Sequence, residues 1–151
     1  MPEAPHSIIV TNARLGRALR KCCDARASDQ GLTFARMEAL LVIRTQEGLS
    51  QTELADRLMI ETPTMNRTLD GLVRDGFVER RPDEEDKRIR RIWLTDSART
   101  EADKLAEFSF GLRSALVAGI PTEELDAAEA TLKKIFANLR HLSGTTERSD
   151  G

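Results

Sequence analysis

Apolar residues recur at spacings of three and four along most of the chain, and the period shortens only between residues 77 and 94. Ile8, Ile9, Leu15, Leu19 and Cys22 or Cys23 form a helical stripe, which predicts a first helix over Ile8–Ala27. Gly31 ends the turn after it, and Thr33 is placed to cap a second helix carrying Phe34, Met37, Leu40, Leu41 and Ile43. Gly48 breaks that helix. Ser50-Gln51-Thr52-Glu53 then reads as a capping box: the Ser hydroxyl takes a free N–H three residues on, and the Glu carboxylate reaches back. A short third helix follows, with Leu54, Ala55 and Leu58 inward. Met59, Ile60 and Glu61 make a tight connection. Thr62 as a hydroxyl cap and Pro63 at the first helical position open a fourth helix, with Met65, Leu69, Leu72 and Val73 as its inner stripe and Gly76 as its stop. Two short helices joined this tightly are the helix-turn-helix pattern.

Phe77–Arg81 is short and extended, and Ile89–Leu94 alternates and is rich in branched and aromatic residues, as a strand requires. The charged loop Pro82–Arg88 joins them, so the pair reads as a hairpin wing. Thr95 is the expected cap of the next helix, along which Ala98, Ala102, Leu105, Phe108, Leu112 and Leu116 recur. Gly119 and Pro121 break it. Thr122 is the expected cap of the last helix, with Glu123 and Glu124 in its positive first turn. Leu125, Ala128, Leu132, Ile135, Phe136, Leu139 and Leu142 line one side. The predicted fold is mainly α with a small β-hairpin wing: a winged helix-turn-helix flanked by N- and C-terminal helices.

Composition narrows the function. The chain has 151 residues, 40% hydrophobic and 32% charged, which suits one globular domain. Its net charge is −2, so binding to nucleic acid must come from local charge. Two Cys and two His (His6, Cys22, Cys23 and His141) are too few and too scattered for a structural zinc cage or a disulfide scaffold. No metal or cofactor is expected. No apolar run reaches the roughly 18 residues of a membrane span. The opening Met1–Ser7 lacks a basic start and an apolar core, so a cytoplasmic protein with reduced cysteines is expected. The polar stretch from Ser143 to Gly151 is expected to be a flexible tail. No nucleophile elbow, phosphate loop or metal motif points to an enzyme.

The segment from Gly31 to Ala98 resembles the MarR family of bacterial winged-helix regulators, closest to its SlyA-like branch. The matching pieces are Gly31-Leu32-Thr33, Leu49-Ser50-Gln51-Thr52-Glu53-Leu54-Ala55 and Ile60-Glu61-Thr62-Pro63-Thr64. Arg67, Leu69-Asp70 and Leu72 follow, then Gly76-Phe77-Val78-Glu79-Arg80-Arg81-Pro82-Asp83, Asp86-Lys87-Arg88 and Leu94-Thr95. Order and spacing together are specific. One departure is Ala98, where the family usually has Gly; it falls at a helix start, away from DNA contacts. The resemblance implies a homodimer with interlocking terminal helices and two winged modules reading a palindrome in double-stranded DNA. On that basis residues 1–32 form an N-terminal dimerisation helix, 33–95 the DNA-binding module, 96–142 the C-terminal dimerisation helices and 143–151 the tail. The apolar length of the terminal helices supports this independently, since one small winged module has no need of so many large side chains; the alternative is a monomeric helical cap using the same residues.

With Met65, Leu69, Leu72 and Val73 inward, the fourth helix turns Pro63, Thr64, Asn66, Arg67, Asp70 and Arg74 outward. Thr64, Asn66 and Arg67 can reach base edges in a major groove. Arg suits guanine and Asn suits adenine. Thr62 and the free N–H groups beside it suit a phosphate. Asp70 is better placed to hold an arginine or a cap than to meet DNA, since phosphates repel a carboxylate. In the wing, the resemblance implies that Arg88 enters the minor groove while Asp86 orients the wing through a salt bridge or loop hydrogen bonds, with Lys87 and Arg90 on phosphates. Arg57 and Ser50 are candidate backbone contacts. The other reading of these positions is an ordinary solvated surface, and Asp83, Glu84, Glu85 and Asp86 lend it weight within the wing.

Family members often respond to small phenolic or carboxylate effectors, which implies an effector-responsive repressor with an anionic or aromatic ligand; no residue here identifies the effector or its site. Arg14, Arg17, Arg20 and Lys21 form a basic stripe on the first helix, read mainly as solvated. Cys22-Cys23 raises a thiol redox-sensing alternative, with Arg20, Lys21 and Arg26 near enough to lower a thiol pKa. The other alternative is a winged-helix protein-interaction module without sequence-specific DNA binding.

Overall fold

The structure, a computed structural model, describes residues 7–28 and 31–146. Among the described residues six helices and one hairpin follow in order: α1 (Ile8–Ala27), α2 (Phe34–Thr45), α3 (Gln51–Leu58), α4 (Thr62–Arg74), β1 (Val78–Pro82), β2 (Arg90–Leu94), α5 (Arg99–Val117) and α6 (Thr122–Thr146). The fold is the predicted one. His6 and residues 147–151 lie outside the described residues. The chain divides into two compact units, residues 1–107 and 108–151.

The core of the first unit is built by short elements with well-satisfied ends. Thr33 caps α2, its hydroxyl accepting the Arg36 N–H at 3.3 Å, and the Phe34 N–H donates to Asp24 of α1 at 2.7 Å. Both bonds satisfy donors that a helix start leaves open. The capping box on α3 is complete: Ser50 Oγ accepts from Glu53 N at 3.1 Å, and Glu53 Oε2 accepts from Ser50 N at 2.8 Å. Leu40, Ile43, Leu54, Met65, Leu69, Leu72 and Ile92 are sealed from solvent and bring α2, α3, α4 and the hairpin onto one core. Removing a methyl-rich side chain from its centre leaves a cavity, so Leu69→Ala is expected to lower stability to urea by about 2–5 kcal/mol.

Several sequence expectations change in detail. Thr62 does not cap α4. The Glu61 carbonyl already accepts the Met65 N–H at 3.0 Å, so Thr62 is the first helical residue and Glu61 stands ahead of it. Val73 is 37% exposed and lies outside the buried stripe. The inward place beside Leu72 belongs to Gly71 instead, because Arg36 crosses there: a Cβ on Gly71 would sit 2.2 Å from Arg36 Nη2. The missing side chain lets that guanidinium reach Asp75 at 2.7 Å. Thr95 precedes a 3-10 turn, Asp96–Ala98, and its hydroxyl donates to the Gly76 carbonyl at 2.6 Å rather than capping a helix. It thus closes the base of the hairpin. Thr122 is likewise the first helical residue, since the Pro121 carbonyl accepts from Leu125 at 3.2 Å. α6 runs on to Thr146, so the expected tail from Ser143 begins as helix.

The turn between α3 and α4 depends on Met59, whose φ of 52° is left-handed. The hairpin pairs antiparallel, with Val78 opposite Leu94, Arg80 opposite Ile92 and Pro82 opposite Arg90. A further pairing was not legible in the sequence. Gly48 N donates to Ile92 O and Ile92 N to Leu49 O, both at 2.9 Å, so the segment before α3 covers the other edge of β2. Gly48 has a φ of +84°, and a Cβ there would lie 3.1 Å from the Trp93 ring. Gly48→Ala is therefore expected to cost about 1–3 kcal/mol in urea unfolding, through left-handed strain plus crowding.

The second unit holds the end of α5 and all of α6. No described side chain in it is buried. Phe110 is 72% exposed and Leu139 54% exposed, and Leu116, Leu132 and Phe136 are also open. No described helix is long and apolar enough to cross a membrane.

Candidate nucleic-acid interface

Helix α4 presents its N-terminal half to solvent. Thr62, Pro63, Thr64 and Arg67 are all exposed, while Met65 and Leu69 anchor the opposite side. Asn66 differs from the expectation. It is half-buried, and its Oδ1 is shielded from solvent with no hydrogen-bond partner. The helix turn places it between the outward and inward faces, so its carboxamide is less open than the Thr64 and Arg67 side chains. Arg74 is open, its guanidinium 3.3 Å from Asp75. Arg57, in the last turn of α3, is exposed, and Ser50 is half-buried with its hydroxyl oxygen occupied by the cap.

Asp70 holds an arginine, as its charge suggested. Arg80 Nη2 reaches Asp70 Oδ1 at 2.6 Å, and its Nε reaches Gln51 Oε1 at 2.6 Å. One guanidinium thus ties α3, α4 and β1 together. Arg80 is consequently a clamp within the module, not part of the wing's outward charge. Arg81 is also engaged, 4.7 Å above the Trp93 ring and paired with Glu79.

The wing loop is ordered by two carboxylates. Asp83 Oδ2 accepts the N–H groups of Glu85 and Asp86, both at 3.0 Å, and its other oxygen pairs with Arg91. Asp86 accepts three bonds from Arg88 at 3.0 Å, one from its backbone N–H and two from its guanidinium. Arg88 is nonetheless 91% exposed, so the pair aims a charge outward without burying it. Lys87 and Arg90 are exposed alongside it.

These bonds shift the titrations. The Arg91 guanidinium, with the loop N–H groups, holds the Asp83 carboxyl down from an ordinary 3.8 to about 2. Arg88 holds Asp86 below its ordinary value in the same way. A carboxylate whose pKa falls on folding contributes stability that is present above its unfolded pKa and lost as pH falls through its folded pKa. Stability is therefore expected to drop between about pH 4 and pH 2. Asp83→Asn should flatten that part of a pH-dependent thermal unfolding series.

Elsewhere the candidates separate. Arg14, Arg17 and Lys21 are exposed on α1, but Arg20 lies 4.9 Å from the Phe34 ring centroid. Cys22 is exposed and Cys23 buried. Burial pushes the Cys23 thiol up, and Cys22, Asp24 and Glu38 add to the shift. That is opposite to the lowering expected from Arg20, Lys21 and Arg26: removal from water and nearby anions outweigh the cations. His141 is exposed, and among the described residues no group of three or more His, Cys, Asp or Glu is arranged to hold a metal ion.

A capped helix pair, an exposed second-helix face and an arginine-tipped hairpin define a winged helix-turn-helix protein. The profile of the MarR family matches residues 30–89. The chain is 34% identical over 112 residues to the HTH-type transcriptional repressor YetL of Bacillus subtilis, covering 73% of this chain and 67% of that one. It also resembles the solved structure of the transcriptional regulator PA3341, at 33% identity and a TM-score of 0.81, covering 89% of this chain and 98% of that one. A Staphylococcus aureus MepR–DNA complex shares the fold at a TM-score of 0.80 and 23% identity, over 91% of this chain and 99% of that one. The chain belongs to the MarR family and is a transcriptional regulator, not an enzyme.

Proposed function

We propose that this regulator works as a homodimer that binds palindromic duplex DNA and represses transcription, with a small anionic or aromatic effector releasing it. The observation that carries the reading is the pairing of two outward cations on one module: Arg67 on the exposed face of α4 and Arg88 at the wing tip. Arg67 and Thr64 read base edges in the major groove, and Arg88 enters the neighbouring minor groove, where negative potential is concentrated. Thr62, Pro63, Ser50, Arg74, Lys87 and Arg90 meet the phosphates, and Asp86 aims Arg88. Asn66 joins them only after its carboxamide turns outward.

The dimer is supported by the second unit. A helix as long as α6 with no buried side chain among its described ones lacks the apolar burial that holds helices in water, and a second copy supplies it. On this reading residues 1–32 and 96–142 are the dimerisation elements and 33–95 the DNA-reading module, in a cytoplasmic protein. YetL is named as a repressor and MepR was solved with DNA, which favours the same roles here.

Selection of random duplexes on the purified protein tests the reading. It should enrich an inverted repeat with half-sites about 10 base pairs apart. A pool without enrichment would contradict it.

A further inference from the structure

The wing tip is tied back to the helix-turn-helix through residues that do not themselves face outward. Arg91 stands on β2, opposite Arg81. Its Nη1 donates to the Gly48 carbonyl at 2.9 Å and lies 3.7 Å from Glu53 Oε2 of α3. Its Nε pairs with Asp83. Asp83 in turn gathers the N–H groups of Glu85 and Asp86, and Asp86 grips Arg88. Two backbone bonds close the same loop, Asp83 N to Ile89 O and Ile89 N to Asp86 O, both at 3.0 Å. A continuous chain of charge-assisted bonds thus runs from the start of α3 to the wing tip.

Exposure separates the two roles. The Asp83 side chain is 15% exposed and Arg91 36%, against 91% for Arg88. Arg91 spends its Nε and Nη1 on Asp83 and the Gly48 carbonyl, with Glu53 3.7 Å from Nη1, so its fork is engaged mainly within the protein. Backbone bonds between Ile92 and Gly48–Leu49 already hold the second strand to the turn before α3; Arg91 extends that anchorage to the loop through Asp83. Gly48 makes that turn possible, since its left-handed backbone presents the carbonyl to Arg91.

We propose that Arg91 and Asp83 are positioning residues for DNA recognition: they fix the wing loop to the Gly48 turn, so that Arg88 reaches DNA at a set distance and angle from Arg67. The proposal rests on the DNA-reading function given above. Rigid support of this kind matters because a recognition group held loosely loses affinity to the entropy of ordering it.

A double-substitution cycle tests it. The probe is the labelled duplex enriched by the wild-type protein, and the variants are Arg88→Ala, Arg91→Ala, Asp83→Ala and each of the latter two combined with Arg88→Ala. Arg91→Ala and Asp83→Ala should each weaken binding by about ten-fold in the wild-type background. In the Arg88→Ala background each should weaken it by less than about two-fold, because the group they position is gone. Arg91→Lys, which keeps the charge but not the fork, should not restore affinity. Equal losses in both backgrounds would overturn the proposal, making Arg91 an independent phosphate contact or a general stability residue. Unchanged affinity on Arg91→Ala and Asp83→Ala, with a loss on Arg88→Ala, would overturn it while leaving the DNA-reading function standing. Unchanged affinity on Arg88→Ala would remove the function on which it rests. If Arg91→Ala fails to fold by circular dichroism, Asp83→Ala decides alone by the same criterion.

Discussion

Replacing Phe136 and Leu139 together by glutamate is expected to convert the protein from a dimer to a monomer of 16.9 kDa and to lower its affinity for a palindromic duplex by at least 100-fold. Both side chains are open in the single chain, at 45% and 54% exposure, so the substitution leaves no cavity within it. In a symmetric pair each occurs twice. Fully burying a side chain of this size contributes about 1.5–3 kcal/mol, and about half of each remains to be covered, so four such positions supply about 3–6 kcal/mol toward a dimer. Placing carboxylates there removes that burial and adds like charges across the interface. The DNA effect follows from linkage, since a tethered second module binds at an effective concentration near millimolar and its release forfeits that gain. Light scattering and fluorescence anisotropy read the two effects separately. Unaltered mass would place the dimer interface elsewhere, and unaltered affinity would argue against two modules on one site.

The second large effect is at Arg67. Arg67→Ala is expected to reduce affinity for the selected duplex by about 1–3 kcal/mol and to relax preference at one base position in each half-site. Arg88→Ala should weaken binding with a different signature. It should lose the A/T preference flanking the major-groove contacts, because a narrow groove attracts Arg by shape and potential. Lys87→Ala should weaken all sequences alike and shallow the salt dependence by about two, one for each protomer. Repeating the selection with each variant distinguishes the three. Identical base preferences in Arg67→Ala and wild type would remove Arg67 from direct readout.

Much of this was legible in the chain. The Thr33 cap and the Ser50–Glu53 box follow from local rules, where a side chain finds its partner within a few residues, and the apolar period sets the limits of α1. The family resemblance supplied an orienting role for Asp86 in the wing, and the structure adds its grip on Arg88 two residues on. What stayed hidden depends on partners far along the chain. Arg80, Arg81, Arg90 and Arg91 look alike as a basic run. Yet Arg80 turns in to Gln51 and Asp70, Arg81 lies on Trp93, Arg91 reaches Gly48, and Arg90 remains exposed. Strand alternation assigns faces, but a long guanidinium goes where a carboxylate or carbonyl waits, and only the tertiary fold fixes that. Helical period was similarly too coarse at the stripe edges, where it placed Val73 inside and Asn66 outside. The same limit hid Gly71, whose role is to let Arg36 past.

The most direct test of a dimer reading both halves of a palindrome is the affinity for the selected duplex, compared with the same duplex after one half-site is scrambled, over a range of salt. The account predicts a two-protomer complex on the intact site and at least 100-fold weaker binding to the scrambled one. It also predicts a log–log salt slope of about −5 or steeper on the intact site, from Arg74, Lys87 and Arg90 of both protomers on phosphates. Equal affinity for the two duplexes, or binding indifferent to salt, would contradict it.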